Sequence, residues 1–280
     1  MIQVGVTGWG DHDSLYPEKT AAKHKLGIYG KYFSIVELDA SFYALQPHRH
    51  YHNWIGQTPD HFSFVIKPQQ AITGHKKGKT IAQLKDEIKA FRQSLTPVVE
   101  AEKLKAVLIQ FPPQFSCLPK NVAYLRFLKE QMQDFPCALE FRHQTWFNEI
   151  YAHETLAFMK QEGFIHTIVD APQVGMGSVP TVLEATHPEL TLIRFHGRNI
   201  SGWNPENKDN WRQVRYLYRY KEQELLEWVT NIHVLTQQSQ NICLIFNNNS
   251  GGDAAPNAKE MMKLLGLKYN EQVSSQLQLF

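Results

Sequence analysis

The strongest constraint on this chain is a rhythm: eight short β-rich runs recur along its 280 residues, with helix-patterned segments between most of them. The runs are Val4–Trp9, Ser34–Tyr43, Phe62–Pro68, Ala106–Pro112, Ala138–His143, His166–Ala171, Thr191–Gly197 and Ile242–Asn247. Apolar residues at helical spacing lie between them, as in Ile81, Leu84, Ile88, Phe91 and Leu95, or Leu225, Val229, Ile232 and Leu235. Strands alternating with helices, without a linker rich in glycine and proline, predict one α/β domain over 1–280. An open doubly wound sheet would offer a glycine-rich first turn, and Gly8-Trp9-Gly10-Asp11 lacks its spacing. Eight repeats therefore predict a single (β/α)8 TIM barrel. Gln173–Pro188 reads as a loop insertion, and a second long stretch, Asn199–Gln213, precedes the next helix.

Bulk properties exclude several classes of protein. A net charge of +2 demands neither nucleic acid nor an acidic membrane as partner. The chain starts as a strand instead of a basic segment followed by an apolar core, and no apolar run approaches the roughly 18 residues of a spanning helix. Cys117, Cys137 and Cys243 lack metal-type spacing and read as small buried hydrophobes. A cytoplasmic protein is expected, with its oligomeric state left open.

Strand parity locates the polar residues. Side chains two apart share a face, so Val36, Leu38, Ala40 and Phe42 oppose Glu37, Asp39, Ser41 and Tyr43. By the same parity Lys67 goes with Val65, Gln110 with Leu108, Glu140 with Arg142, Asp170 with Ile168, and Asn247 with Ile245. Arg194, His196 and Arg198 go with Leu192. One face is apolar throughout and fits packing against helices, while the other is apolar at its start and polar at its end. This gradient predicts a barrel interior that turns polar at the strand C-termini, where barrel active sites collect. A structural ion-pair network is the competing reading of the same charges.

These positions also carry a resemblance. Gly5-Val-Thr-Gly-Trp9, Phe33-Ser-Ile-Val-Glu-Leu-Asp-Ala-Ser-Phe-Tyr43, Trp54 with Thr58-Pro59, Phe62-Ser-Phe-Val-Ile-Lys67 and Ile72-Thr-Gly-His75 occur in order. Gln110-Phe-Pro-Pro113, Glu140-Phe-Arg142 with Trp146, Arg194-Phe-His-Gly-Arg198, Tyr216-Leu-Tyr-Arg-Tyr220 and Asn247-Asn248 follow. Together they resemble the YecE-like family, the domain of unknown function 72, over nearly the whole chain. The resemblance implies a (β/α)8 barrel of the xylose-isomerase kind and no assigned reaction. Pro68 departs from the small residue usual after the lysine, which bears on the loop alone.

The chemistry expected of the ring is that of an anion site. Lys67, Arg142, Arg194 and Arg198 would hold an anionic group, since the planar fork of arginine suits phosphate or carboxylate. Asn247, Asn248 and Gln110 would orient polar substituents. Glu37 belongs to the same lining, and Tyr43, Trp146, Trp9 and Trp203 are candidate walls around a ring-shaped ligand. Glu140 and Asp170, with His196 third, are the acid–base candidates. Arg142 beside Glu140 favours the ionised carboxylate, so Glu140 serves equally well to orient the arginine.

A divalent ion on Glu37, Glu140, Asp170 and His196 is the competing site. With only one histidine and adjacent cations, no metal and no other cofactor is expected. His48 and His52, an i, i+4 pair, read as a solvated helix face. These features predict a metal-independent enzyme acting on a small anionic, phosphorylated or sugar-like substrate at the C-terminal end of the barrel. The alternative is a nucleic-acid-binding or phosphodiester-processing protein. It would add Trp211–Lys221, which mixes aromatics with four cations, and Lys76, Lys77 and Lys79.

Overall fold

A computed structural model describes residues 1–203 and 214–267. The eight strands are β1 (Ile2–Thr7), β2 (Ile35–Leu38), β3 (Ser63–Ile66), β4 (Leu104–Gln110), β5 (Cys137–Glu140), β6 (Ile165–Asp170), β7 (Leu190–Phe195) and β8 (Asn241–Phe246). All pair in parallel with their sequence neighbours, and β8 pairs with β1 to close the barrel. The main outer helices are Ala22–Tyr29, His48–Gly56, Ile81–Ser94, Pro119–Gln131, Ala152–Glu162, Glu222–Thr236 and Ala254–Leu264. Between β6 and β7 the chain carries only the 3-10 turn Gly175–Gly177, so the predicted loop insertion replaces a crossover helix. No helix among the described residues is long and apolar enough to cross a membrane.

Two apolar layers follow from the alternation of side chains. Ile35, Val65, Ala106, Leu108, Ala138, Ile165, Leu190, Leu192, Cys243 and Ile245 fill the barrel interior. Val36, Phe64, Ile66, Val107, Ile109, Leu139, Ile193, Leu244 and Phe246 pack outward beneath the helices. Helix Ile81–Ser94 shows why those segments fold as they do. Thr80 and Gln83 form a reciprocal capping box, and Leu84, Ile88 and Phe91 bury one stripe. Cys137 and Cys243 are buried thiols and Cys117 is half-buried, none in a disulfide.

The strands stop earlier than their apolar runs do. The run Ser34–Tyr43 divides, with β2 ending at Leu38 and Ala40–Tyr43 forming a helical turn. Ser41 Oγ donates to Lys67 O at 2.7 Å, and Gln46 Nε2 donates to the carbonyls of Ala40 and Ala44. These bonds satisfy the turn's backbone in place of a ladder. Parity therefore does not extend to Ser41 and Tyr43.

Lys103, just before β4, is buried with its ammonium donating to Thr58 O (3.0 Å), Thr58 Oγ1 (3.1 Å) and Pro59 O (2.8 Å). It ties down the turn that follows helix His48–Gly56 and also reaches the Ile55 carbonyl in the helix's last turn, at 3.4 Å. Lys103→Met keeps the apolar stem and removes these charged bonds. It is expected to cost about 2 kcal/mol in chemical denaturation; an unchanged midpoint would show that water replaces the ammonium.

Candidate functional site

The interior turns polar where the strands end, as parity requires, and its centre is Arg194 on β7. The guanidinium is 1% exposed at the side chain. Its Nε and Nη2 donate to the two oxygens of Glu37 on β2 at 2.7 and 2.6 Å. Its Nη1 donates to Glu140 Oε2 on β5 and, at 3.1 Å, to Gln110 Oε1 on β4. Glu140 divides its carboxylate, with Oε1 2.6 Å from Arg142 Nε and 3.3 Å from His196 Nε2. Burial alone would raise the Glu140 pKa, but Arg142 and Arg194 outweigh it and hold the group well below the ordinary carboxylate range. Glu37 answers the other way: burial pushes it up to about 7 against the pull of Arg194.

His196 is fully buried in this floor. Burial first, then the Arg142 charge, holds its pKa well below the usual value, so the imidazole is neutral. Arg142 Nη2 lies 3.1 Å from Nε2, and Asn247 Nδ2 lies 3.1 Å from Nδ1. Nε2 thus lies between the Arg142 donor and, at 3.3 Å, the Glu140 carboxylate, while Nδ1 faces the Asn247 amide.

Above the floor the side chains face the open end. Lys67 Nζ lies 3.1 Å from Asp39 Oδ1, donates to Gln110 Oε1 at 3.3 Å and sits 5.0 Å from the centre of the Phe42 ring. Arg142 stands 5.3 Å from the ring centre of Trp203, on which Arg215 also stacks at 4.0 Å. Tyr216 packs its ring 5.9 Å from His196. His75, in the loop after β3, makes an edge contact with Phe42 at 5.0 Å. In the sequence Arg215 stands in the aromatic–basic segment, and His75 stands in a family segment and at the head of a basic loop. Neither lies on a strand, so period-2 parity carried no signal for them.

Five candidates lie elsewhere. Asp170 has the parity of Ile168, an outward face, and accepts from Trp228 Nε1 at 2.5 Å and Tyr220 Oη at 3.0 Å. Arg198 joins it there, donating from Nη2 at 2.6 Å, because Gly197 at φ +80° turns the chain out of the β7 alternation. The expected convergence of Asp170 and Arg198 with Glu140 is thus corrected. Asn248 is fully buried, its amide nitrogen donating to Tyr218 O and Asn257 Oδ1. Trp146 is buried outside the barrel, stacked on Phe141 at 4.1 Å with Nε1 donating to Phe115 O. Tyr43, 73% exposed, sits on its helical turn.

Asp170 and its partners nonetheless serve the site. They fasten both Arg198 and Tyr220, the ends of the excursion that brings Trp203, Arg215 and Tyr216 over the floor. Residues Trp211–Gln213 of the aromatic–basic segment lie outside the described residues. Lys76 and Lys77 are exposed in the loop after β3, whereas Lys79 is paired with Glu87. His48 and His52 are exposed on their helix.

Because the Glu140 pKa is depressed in the folded state, its stabilisation is present above the carboxylate value of the unfolded chain. It is lost as pH falls through the folded value. Glu140→Gln leaves two buried guanidiniums short of a counter-charge and is expected to cost about 3 kcal/mol or more at pH 7. The gap to the unsubstituted protein should narrow on acidification; a gap independent of pH would show that Glu140 is not held ionised.

The geometry can be set beside known proteins. Residues 3–278 match the family model described as protein of unknown function DUF72. The UPF0759 protein YunF of Bacillus subtilis (strain 168) is 54% identical over 282 residues, spanning 100% of both chains. A crystal structure of a DUF72 family protein from Enterococcus faecalis V583 is 37% identical, covers 96% of this chain and 97% of its own, and superposes with a TM-score of 0.91. D-psicose 3-epimerase, at 12% identity over 94% of this chain and 99% of its own with a TM-score of 0.53, shares the barrel fold alone. On the family match and the relatedness to YunF, the chain belongs to the DUF72 family.

Proposed function

We propose that this protein is an enzyme that binds a small anionic substrate, phosphorylated or sugar-like, at the C-terminal end of the barrel, without a resident metal ion. The observation that carries this is the meeting of Lys67, Arg142 and Arg215 at the open end, beside Asn247 and the faces of Trp203 and Phe42. Arg142 is the best-prepared of the three. It is buried with Nε in ion-pair contact with Glu140 and Nη2 on His196, so it has little conformational entropy left to lose on meeting a ligand. Among the described residues, Arg215 brings a further guanidinium to the layer above Glu37, Asp39 and Glu140, beside Arg142 on the Trp203 ring, and this supports an anion as ligand.

The roles then separate. Lys67, Gln110, Arg142 and Asn247 contact the substrate, joined by Arg215. Glu140 and His196, buried beneath them, fix Arg142 and are not the proton carriers. Glu37 and Arg194 hold the floor. The metal-free part rests on the carboxylates themselves: a divalent ion on Glu37 and Glu140 would have to displace Arg194 from both.

The second reading, nucleic-acid binding or phosphodiester processing, draws on Arg215 stacked upon Trp203 and on exposed Lys76 and Lys77. Titration calorimetry with inorganic phosphate, pyrophosphate and a panel of sugar phosphates tests the first. Lys67→Met and Arg142→Ala are each expected to weaken binding about tenfold or more, as loss of a charge-assisted bond implies. A folded protein that binds none of these ligands overturns the reading. Retention of single- or double-stranded oligonucleotides that falls steeply with salt and requires Lys76 and Lys77 would establish the second.

A further inference from the structure

His75 stands at the cationic mouth and takes no part in the floor. Its Nδ1 lies 2.8 Å from the hydroxyl of Thr73, a fully buried residue whose Oγ1 also lies 3.2 Å from Gln70 O. A hydroxyl carries one proton. Donated to the Gln70 carbonyl, it leaves the Thr73 oxygen as an acceptor, and His75 Nδ1 then bears the ring proton. Electrostatics favour the same tautomer, because Lys67 and Arg142 act on the imidazole and Nδ1 is already engaged by Thr73. Nε2 then keeps its lone pair.

Phe42 holds both partners in place, with the His75 ring edge-on at 5.0 Å and the Lys67 ammonium 5.0 Å from the ring centre. Among the described residues, charges on neighbouring elements are Asp39, which is paired with Lys67, and Lys76 and Lys77 on its own loop. Tyr43 lies on the turn that carries Phe42.

We propose that His75 is the proton-exchanging group of this site: Thr73 fixes its Nδ1–H, and its Nε2 faces an anion held by Lys67 and Arg142. The proposal rests on the anion site described above and deepens it. His75 is exposed as a residue, yet the cover over its ring, followed by Lys67 and Arg142, lowers its pKa to about 4. An anion between them cancels the repulsion, so binding draws a proton onto Nε2. In this step the N–H bond forms at Nε2 with a proton from solvent or from the ligand's own acidic oxygen, and nothing is oxidised or reduced. The ligand class that fits is a phosphate monoester, whose last proton dissociates near pH 6 and can be shared with the imidazole.

Nitrogen-15 NMR of imidazole-labelled protein, with the His75 signals assigned from His75→Gln, reads tautomer and titration together. The free protein should show the Nδ1–H form and a midpoint well below 6.5. Saturating inorganic phosphate should raise that midpoint by about one pH unit or more. Thr73→Val should abolish the single tautomer, and the phosphate-induced rise of the midpoint is the readout that a merely structural histidine would not show. An Nε2–H tautomer in the free protein overturns the proposal. So does an unmoved midpoint while calorimetry registers bound phosphate, and in that case the anion site stands. Absence of any phosphate binding overturns both.

Discussion

The open end of this barrel depends on one buried charge. Arg194 rises from the inner face of β7 into space that ten apolar side chains fill below it, and its charge is tolerable there only because two carboxylates reach it. Glu37 and Glu140 come from strands on opposite sides of the barrel order, so the guanidinium ties β2 and β5 to β7. Glu140 spends its second oxygen on Arg142, which passes the constraint upward to the surface a ligand would meet. A floor of this kind contributes little net stability, since desolvation offsets most of the Coulomb attraction. It fixes the position of the next layer.

A second polar cluster does comparable work behind the barrel wall. Asp170 gathers Arg198, Tyr220 and Trp228, and Tyr218 and Arg198 both reach Glu224 on helix Glu222–Thr236. Gly197 permits this because a side chain there would strike Tyr218, with a Cβ only 2.5 Å from the tyrosine Cβ, and because its φ of +80° suits glycine. The cations at the mouth thus come from two kinds of support. Lys67 and Arg142 sit at or just beyond strand ends, while Arg215 arrives on a segment fastened from outside the barrel.

Much of the floor was legible in the sequence because a strand has an exact period of two. Glu37, Lys67, Gln110, Glu140, Arg142, Arg194, His196 and Asn247 all fell on the face that carries the interior apolar residues. The rule failed where the strand had already ended. Tyr43 belongs to a helical turn, and Arg198 follows a glycine that breaks the alternation. Asp170 failed differently: β6 alternates Ile165, Thr167 and Val169 with His166 and Ile168, so both faces mix apolar and polar residues and neither is marked as inward. Asn248 and Trp146 are polar or aromatic for packing reasons that only tertiary contacts reveal. His75 and Arg215 lie on loops, where no period exists to place them. The family match covers residues 3–278 and extends the fold assignment with no reaction attached.

The central claim is that the layer resting on Arg194 and Glu140 is built to hold an anion. A crystal structure determined after soaking in both phosphate and manganese tests it most directly. The oxyanion should lie between Lys67 and the outer edge of Arg142, within hydrogen-bonding reach of Asn247 or Arg215, with Glu37 and Glu140 still on Arg194. Manganese bound by Glu37, Glu140 and His196, with Arg194 displaced and no phosphate at the mouth, would contradict it.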